Sequence, residues 1–532
     1  MKNKKIILSI VASIALLVLI IGATYAYFQA QTGEGAQTDI KINANTVDTF
    51  TFEVGSALNL SLNQENFASG KGNQTGTTFA KAMLTANNKT NTATEHYYLY
   101  LNISNNTFTY SIDNNTPEIL LSIKDGSNNE ITTLTGLTYK TVTDGKGASI
   151  KGFDITTKKG LVTILNNREI TTTSTKTEEW NVTVTFVNYN SNQAGNAGKS
   201  FNAKLMIQKE EYKPTLAEYV VSQYSGTQGE NGLYYHDNSL ANGAGDNSYR
   251  YAGASESVNN FICFGSTTSP CPTDNLYRII GVFGENNHGV TGKQLVKLIK
   301  YDYATSNLLG TDGDYKGTSE PDSTYYKGSL SSVNTYYWNY KATNNASNTW
   351  STSLLNKINL NTNYLNNIGT TWSNLIEDAT WKVSGHTTGG VTPSEMYTKE
   401  ITNAYKTYGP SNGTSKIGLM YASDYGFAAS PSAWTKTLYN YGGNDANGTS
   451  IITINWMYIG HMEWTISPDS SSSDRVFYLY NSGYFDNLFS GNVLDDFGEL
   501  RGCGFRPVVY LKASVLFAGG SGTKDSPITL VV

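Results

Sequence analysis

Chemistry in this chain has few residues to draw on. Histidine occurs five times, at 96, 236, 288, 386 and 461, each isolated in sequence. There is no HExxH helix and no CxxC pair, so zinc has no support and these imidazoles read as structural or surface groups. No GxSxG turn offers a hydrolase nucleophile. Gly198-Lys199-Ser200 has the ending of a phosphate loop, but Gln193 stands where the first glycine is required and a strand follows. Asp312, Asp314 and Gly317 have calcium-loop spacing, yet Ser323 occupies the position of the closing bidentate Glu. That leaves a weak surface calcium ion or, more commonly, a solvated loop. The neighbouring carboxylates Asp495 and Asp496 have no acid/base geometry that spacing can assign. No catalytic residue, metal site or cofactor is therefore expected.

Binding chemistry is better represented. After Trp464-Thr-Ile-Ser467-Pro468 the chain runs SSSDRVFYLYNSGYFDNLFSGNVLDDFGELRG, then returns to an apolar segment at Cys503-Gly504-Phe505-Arg506-Pro507. Tyr and Phe interleave there with Asn, Asp, Ser and Gly, the composition of ligand-binding loops, in which rings supply contact area and small polar groups supply adaptable hydrogen bonds. The candidate contacts are Tyr480, Asn481, Tyr484, Phe485, Asp486, Asn487, Asn492, Asp495 and Asp496. The alternative is a polar hairpin region whose aromatics are structural. Cys263 and Cys271 flank CFGSTTSPC, which closes as a local disulfide in an oxidising compartment or leaves two unpaired thiols. Cys503 is left over and reads as a buried small hydrophobe.

The elements that must position these residues follow from length and pattern. At 532 residues the chain exceeds one core, so two or three domains are expected. Charged residues make up 15%, against a usual share of about 25%. A net charge of −5 with 12% aromatics excludes disorder by charge repulsion. With 38 Lys+Arg against 43 Asp+Glu there is no basic field, so nucleic acid is not an expected partner. MKNKK precedes an uncharged apolar run over residues 6–23, an export signal. It is either cleaved after Ala26 or retained as a membrane anchor, its length close to the roughly 17–25 residues of a spanning helix. Both outcomes export everything after residue 30, to the cell surface or the medium.

Residues 29–210 show short alternating segments without helices, as in WNVTVTFV, where Trp180, Val182, Val184 and Phe186 share one face. This predicts an all-β antiparallel sandwich. Residues 211–250 read as a helix and linker: Thr215 caps LAEYVVSQY with Glu218 at N3, and a Gly- and Asn-rich stretch follows. Residues 251–532 read as an α+β domain. A strand pair (276–283 and 293–302) leads into helices at 349–359, 372–381 and 394–405, then further strands, with Phe505, Val508 and Tyr510 alternating into a buried sheet.

Residues 250–532 resemble exported bacterial domains with a C-type-lectin-like fold related to the formylglycine-generating enzyme. The matching positions are Tyr277, Arg278, Ile279 and Gly281; Gly418, Leu419, Met420, Ser423, Asp424 and Tyr425; and Trp464, Ser467, Pro468, Gly504, Phe505, Arg506 and Pro507. The resemblance implies fold more than activity. Formylglycine-generating enzymes use a cysteine pair in the final third, where this chain has Cys503 alone, so oxidase activity is not carried over. Some relatives vary the loop before the GFR strand to change ligand, and the candidate contacts above occupy that stretch. The first 210 residues resemble the camelysin and TasA group of matrix-fibre and surface-layer proteins, through the apolar signal, the Thr24-Tyr-Ala-Tyr-Phe28 junction and DTFTFEVG. That resemblance implies cleavage at Ala26. The expected function is non-catalytic: a sandwich stalk presenting a lectin-like head that binds a surface glycan or protein. The alternatives are a fibre component that self-assembles, or an oxidase of the formylglycine-generating type.

Overall fold

The computed structural model describes residues 48–62, 71–87, 91–311, 314–315, 323–324, 326–330, 332–339, 347–402, 413–489 and 502–532. Ala26 and the apolar run at 6–23 lie outside the described residues, as do Asp312, Asn492, Asp495 and Asp496. Among the described residues no helix is long and apolar enough to cross a membrane. The chain divides into two compact units, Met1–Tyr212 and Lys213–Val532.

Among its described residues the first unit holds ten strands: β1 (Thr49–Val54), β2 (Leu58–Ser61), β3 (Gln74–Thr85), β4 (Ala93–Asn106), β5 (Ile119–Asp125), β6 (Tyr139–Thr143), β7 (Ser149–Asp154), β8 (Gly160–Thr172), β9 (Thr175–Phe186) and β10 (Ser200–Gln208). They form two antiparallel sheets, ordered β1-β3-β9-β5-β7-β6 and β2-β10-β4-β8. One apolar core joins the sheets: Val182, Val184 and Phe186 of β9 pack in the same cluster as Leu99, Leu101 and Ile103 of β4. Period-two alternation produces this, since every second residue of β9 meets the facing sheet while Asn181 stays exposed. Each such side chain contributes about 1.5–3 kcal/mol on burial. The loops at one end are tied by Glu118, a buried carboxylate that accepts from Ser111 (N–H, 2.5 Å), Gln193 (Nε2, 2.9 Å) and Asn196 (Nδ2, 2.8 Å).

The second unit opens on α1 (Leu216–Ser222), whose capping box pairs Thr215 with Glu218. The residues after it, expected to be a linker, instead form β11 (Leu233–His236) and β12 (Ser248–Tyr251), an antiparallel hairpin. The Gly- and Asn-rich stretch is its connection, folded by the turn-forming carboxylates of Asp237 and Asp246. These strands join β13 (Phe261–Cys263), β14 (Leu276–Phe283), β15 (Leu295–Lys300), β16 (Ile417–Gly418) and β20 (Val508–Tyr510) in a seven-stranded sheet ordered β11-β12-β14-β15-β20-β16, with β13 also on β14. Gly281 lets β12 approach β14: a Cβ there would lie 2.1 Å from the Tyr249 carbonyl oxygen. The unit's two ends are stitched together, Leu216 donating to the Val515 carbonyl (2.8 Å) and Cys263 to that of Ile528 (2.8 Å).

Between the sheet strands lie helical turns and smaller sheets. Residues 372–381, expected as a helix, are helical at Thr370–Ser373 and extended at Ala379–Trp381. Trp381 is buried in that strand, and its indole donates to the Ser415 carbonyl across the pair with Gly413–Ser415 (3.0 Å). Trp381 therefore serves sheet packing, whereas Trp372 is buried from the helical turn. Helix α2 (Pro393–Tyr397) continues helically through Thr402, and α3 spans Ala422–Ala428. Strands β17 (Glu463–Pro468), β18 (Arg475–Leu479) and β19 (Phe485–Phe489) make a three-stranded antiparallel sheet. Much of the presumed long binding loop is thus a hairpin, because Val476, Phe477 and Leu479 are apolar enough to be buried as a strand.

Candidate functional site

The turn between β18 and β19 is built on its backbone. Tyr480 N–H donates to the Tyr484 carbonyl (2.8 Å) and Gly483 N–H to that of Tyr480 (2.9 Å). Gly483 adopts φ +94° and a Cβ there would lie 2.3 Å from Ile452, so glycine is required on both counts. Tyr458 and Tyr425 hold the turn from below, their hydroxyls donating to the carbonyls of Asn481 (2.6 Å) and Gly483 (3.1 Å). The rings of Tyr480 and Tyr484 stack at 5.0 Å and are half-buried, and Asn481 is exposed.

Facing this turn is the segment 434–444. Trp434, Leu438 and Tyr441 are buried, the Trp434 indole donating to the Ala429 carbonyl (2.8 Å) and the Tyr441 hydroxyl to that of Gly426 (3.0 Å). With those three side chains inside, Tyr439 between them is 40% exposed. A Cβ at Gly442 would lie 2.9 Å from the Ser482 carbonyl oxygen, so the two segments meet there. Between them is an open pocket of about 380 Å³, lined by Lys436, Tyr439, Asn440, Asn444, Ser482 and Tyr484 among others. Ring faces, amides and one ammonium are groups that bind polar ligands with flat apolar faces. Among the described residues, no His, Cys or carboxylate lines it.

The chain matches no family model, no curated protein and no solved structure.

Of the candidate contacts, Tyr484 reaches the pocket and Tyr480 and Asn481 flank it. Phe485 does not: it is buried, edge-on to Tyr425 at 5.2 Å, because the strand alternation begun at Tyr484 turns it inward. Asp486 pairs with Tyr478 in the hairpin. Asn487 is engaged within the sheet, accepting from Arg475 (3.0 Å) and donating to Asp469 (2.7 Å). Residues 436–444 were missed, although TKTLYNYGGNDANG has the same mixture of Tyr, amide and Gly that singled out the later stretch.

The motif residues lie in the core. Trp464 donates its indole N–H to the Tyr336 carbonyl (2.8 Å), and Gly504 forms a parallel bridge with Glu463. Arg506 holds Glu463 bidentately (2.8 and 2.8 Å) and donates to the Met457 carbonyl (2.8 Å), all fully buried. Phe505 packs on Tyr336 at 5.3 Å, and the Pro507 carbonyl accepts from Lys300 N–H (3.0 Å). The stretch from Cys503 to Leu511 is buried on both faces, rather than on alternate residues, because the sheet is covered on both sides. Pro468 pairs with Val476, and Ser467 donates its hydroxyl to Glu400. Cys503 is buried, exchanging backbone hydrogen bonds with Tyr336 (3.0 and 3.1 Å). Cys263 and Cys271 are joined as a disulfide, Cα–Cα 5.8 Å.

Behind the turn lies a buried ionic layer at the start of α3. Glu400 accepts from the N–H groups of Ala422 (3.0 Å) and Ser423 (3.2 Å), and Asp424 accepts from that of Tyr421 (3.0 Å), so two carboxyls cap one short helix. Lys297 reaches Asp424 at 2.5 Å, and Arg250 lies 3.6 Å from its other oxygen and 2.8 Å from Asp246. Burial pulls the Lys297 ammonium down from its ordinary value against the pull of Asp424. Burial pushes Glu400 up to about 7 despite the hydrogen bonds it accepts. Burial also acts to raise Asp246, but Arg250 and the hydroxyls of Ser248 and Tyr397 hold it well below the carboxylate range. Among the described residues no group of three His, Cys, Asp or Glu is arranged to hold a metal ion.

Proposed function

We propose that Lys213–Val532 is an exported, non-catalytic ligand-binding head of C-type-lectin-like type, carried on the sandwich of the first unit. The supporting observation is the pocket between the Tyr480–Tyr484 turn and residues 436–444, with exposed or half-exposed Tyr439 and Tyr484 and amides around them. Its ligand is a surface glycan or protein. The N-terminal apolar run directs export, with membrane attachment where it is retained. Binding of the purified exported chain to arrays of glycans and surface proteins tests this. Capture of a ligand that is lost in Tyr484→Ala, with unchanged thermal stability, supports it; capture indifferent to Tyr439→Ala and Tyr484→Ala contradicts it.

A structural reading rests on a different feature: among the described residues β1, β6, β2 and β8 are the terminal strands of the first unit's sheets. Strand addition at such an edge would build a fibre. The exposed Arg168 and Glu169 of β8 act against it, as edge charges do. Monomers alone at high concentration in sedimentation experiments would exclude it.

A further inference from the structure

Lys297 and Asp424 come from distant parts of the chain, 127 residues apart, and meet where neither has access to water. Their Nζ–Oδ2 separation is 2.5 Å. Four rings surround the ammonium, Tyr421 at 4.4 Å, Tyr510 at 5.4 Å, Phe283 at 5.5 Å and Trp381 at 5.8 Å. Charge bookkeeping within the layer is informative. Among the described residues Arg250 is matched by Asp246 and Lys297 by Asp424, and Glu400 is a third buried carboxyl, held by the N–H groups of Ala422 and Ser423. Separated charge is costly in such a site, and proton transfer within the Lys297–Asp424 pair leaves a neutral amine against a neutral carboxylic acid. Those are the reactants of amide formation, held at contact by two rigid elements, β15 and α3. An Arg250 guanidinium nitrogen lies 3.6 Å from Oδ1, so a positive charge stands near the oxygen that becomes negative when nitrogen attacks.

We propose that Lys297 and Asp424 condense into an isopeptide bond. The Nζ lone pair attacks Cγ of Asp424 and the C–N bond forms. The Cγ–Oδ2 bond then breaks, and Oδ2 leaves as water, carrying the acid's own proton and one proton from the nitrogen. One amide and one water are produced, with no change in oxidation state. The amide removes two buried charges and leaves Arg250 with Asp246. It staples β15 to α3, whose Tyr425 supports the ligand turn.

The test is peptide mapping by mass spectrometry of the purified full chain after reduction and proteolysis. The expected result is a branched peptide containing both Lys297 and Asp424, its mass the sum of the two linear peptides less one water, and absent from Lys297→Arg. Recovery of both residues in separate linear peptides of full mass, with no branched species in the wild type, overturns the proposal and leaves an ion pair only.

Discussion

Neighbouring aromatic residues in the β18–β19 turn have opposite fates, and this separates binding from stability. Phe485 is buried against Tyr425, so Phe485→Ala should lower unfolding stability by about 3–5 kcal/mol in urea titrations. Tyr484→Ala, at the pocket, should change stability by no more than about 0.5 kcal/mol. Composition marked both as contacts, because it counts residue types and does not know which side of a strand each will take. Glu400 supplies a second prediction. Its carboxyl rises from 4.5 to about 7 on burial, so the folded state keeps a proton that the unfolded chain gives up. Its contribution is therefore complete below about pH 4.5 and is lost as pH rises to about 7, on the order of 3 kcal/mol in all. The slope of thermal midpoint against pH over that window should flatten in Glu400→Gln; an unchanged slope would show that another group titrates there.

At the scale of elements, the GFRP segment and β17 form a seam locked by the Arg506–Glu463 pair. Arg506→Met strands a buried carboxylate, and a loss of about 3–5 kcal/mol is expected, whereas Arg506→Met combined with Glu463→Met should recover much of it. Equal losses in the single and double variants, by chemical denaturation, would count against the seam. The disulfide closes a short loop on β13, so Cys263→Ser with Cys271→Ser should cost about 2 kcal/mol. Legibility varied between elements for a physical reason. Strand β9 has one solvated face, and its alternation announced both strand and core. Strand β14 is buried throughout, so LYRIIGVF showed an apolar run without a face, and Arg278 inside it gave no sign of its cage of Asn260, Ser255 and Val258 acceptors. Residues 225–251 were misread because Gly and Asn mark turns as readily within a hairpin as in a linker.

For the molecule as a whole, two units with separate cores predict two calorimetric transitions, and reduction of the disulfide should move the one belonging to Lys213–Val532. The low charge and abundant Tyr and Asn of the chain divide between strands and surface: many Tyr are buried as hydrogen-bonding core residues, and a minority, Tyr439, Tyr480 and Tyr484, lie in or beside the pocket. The sequence made half of that pocket legible, since the turn was read from its composition. The facing segment supplies Lys436, Tyr439, Asn440 and Asn444 through tertiary packing that sequence spacing does not reveal. Ligand binding by this pocket is the proposal on which the proposed function depends. The most direct measurement is the affinity of wild type and of Tyr439→Ala and Tyr484→Ala for whatever the glycan and protein arrays capture, with thermal midpoints recorded in parallel. The expected loss is roughly thirtyfold, about 2 kcal/mol, for each truncated ring at unchanged midpoint. Equal affinity in wild type and the double variant would contradict it.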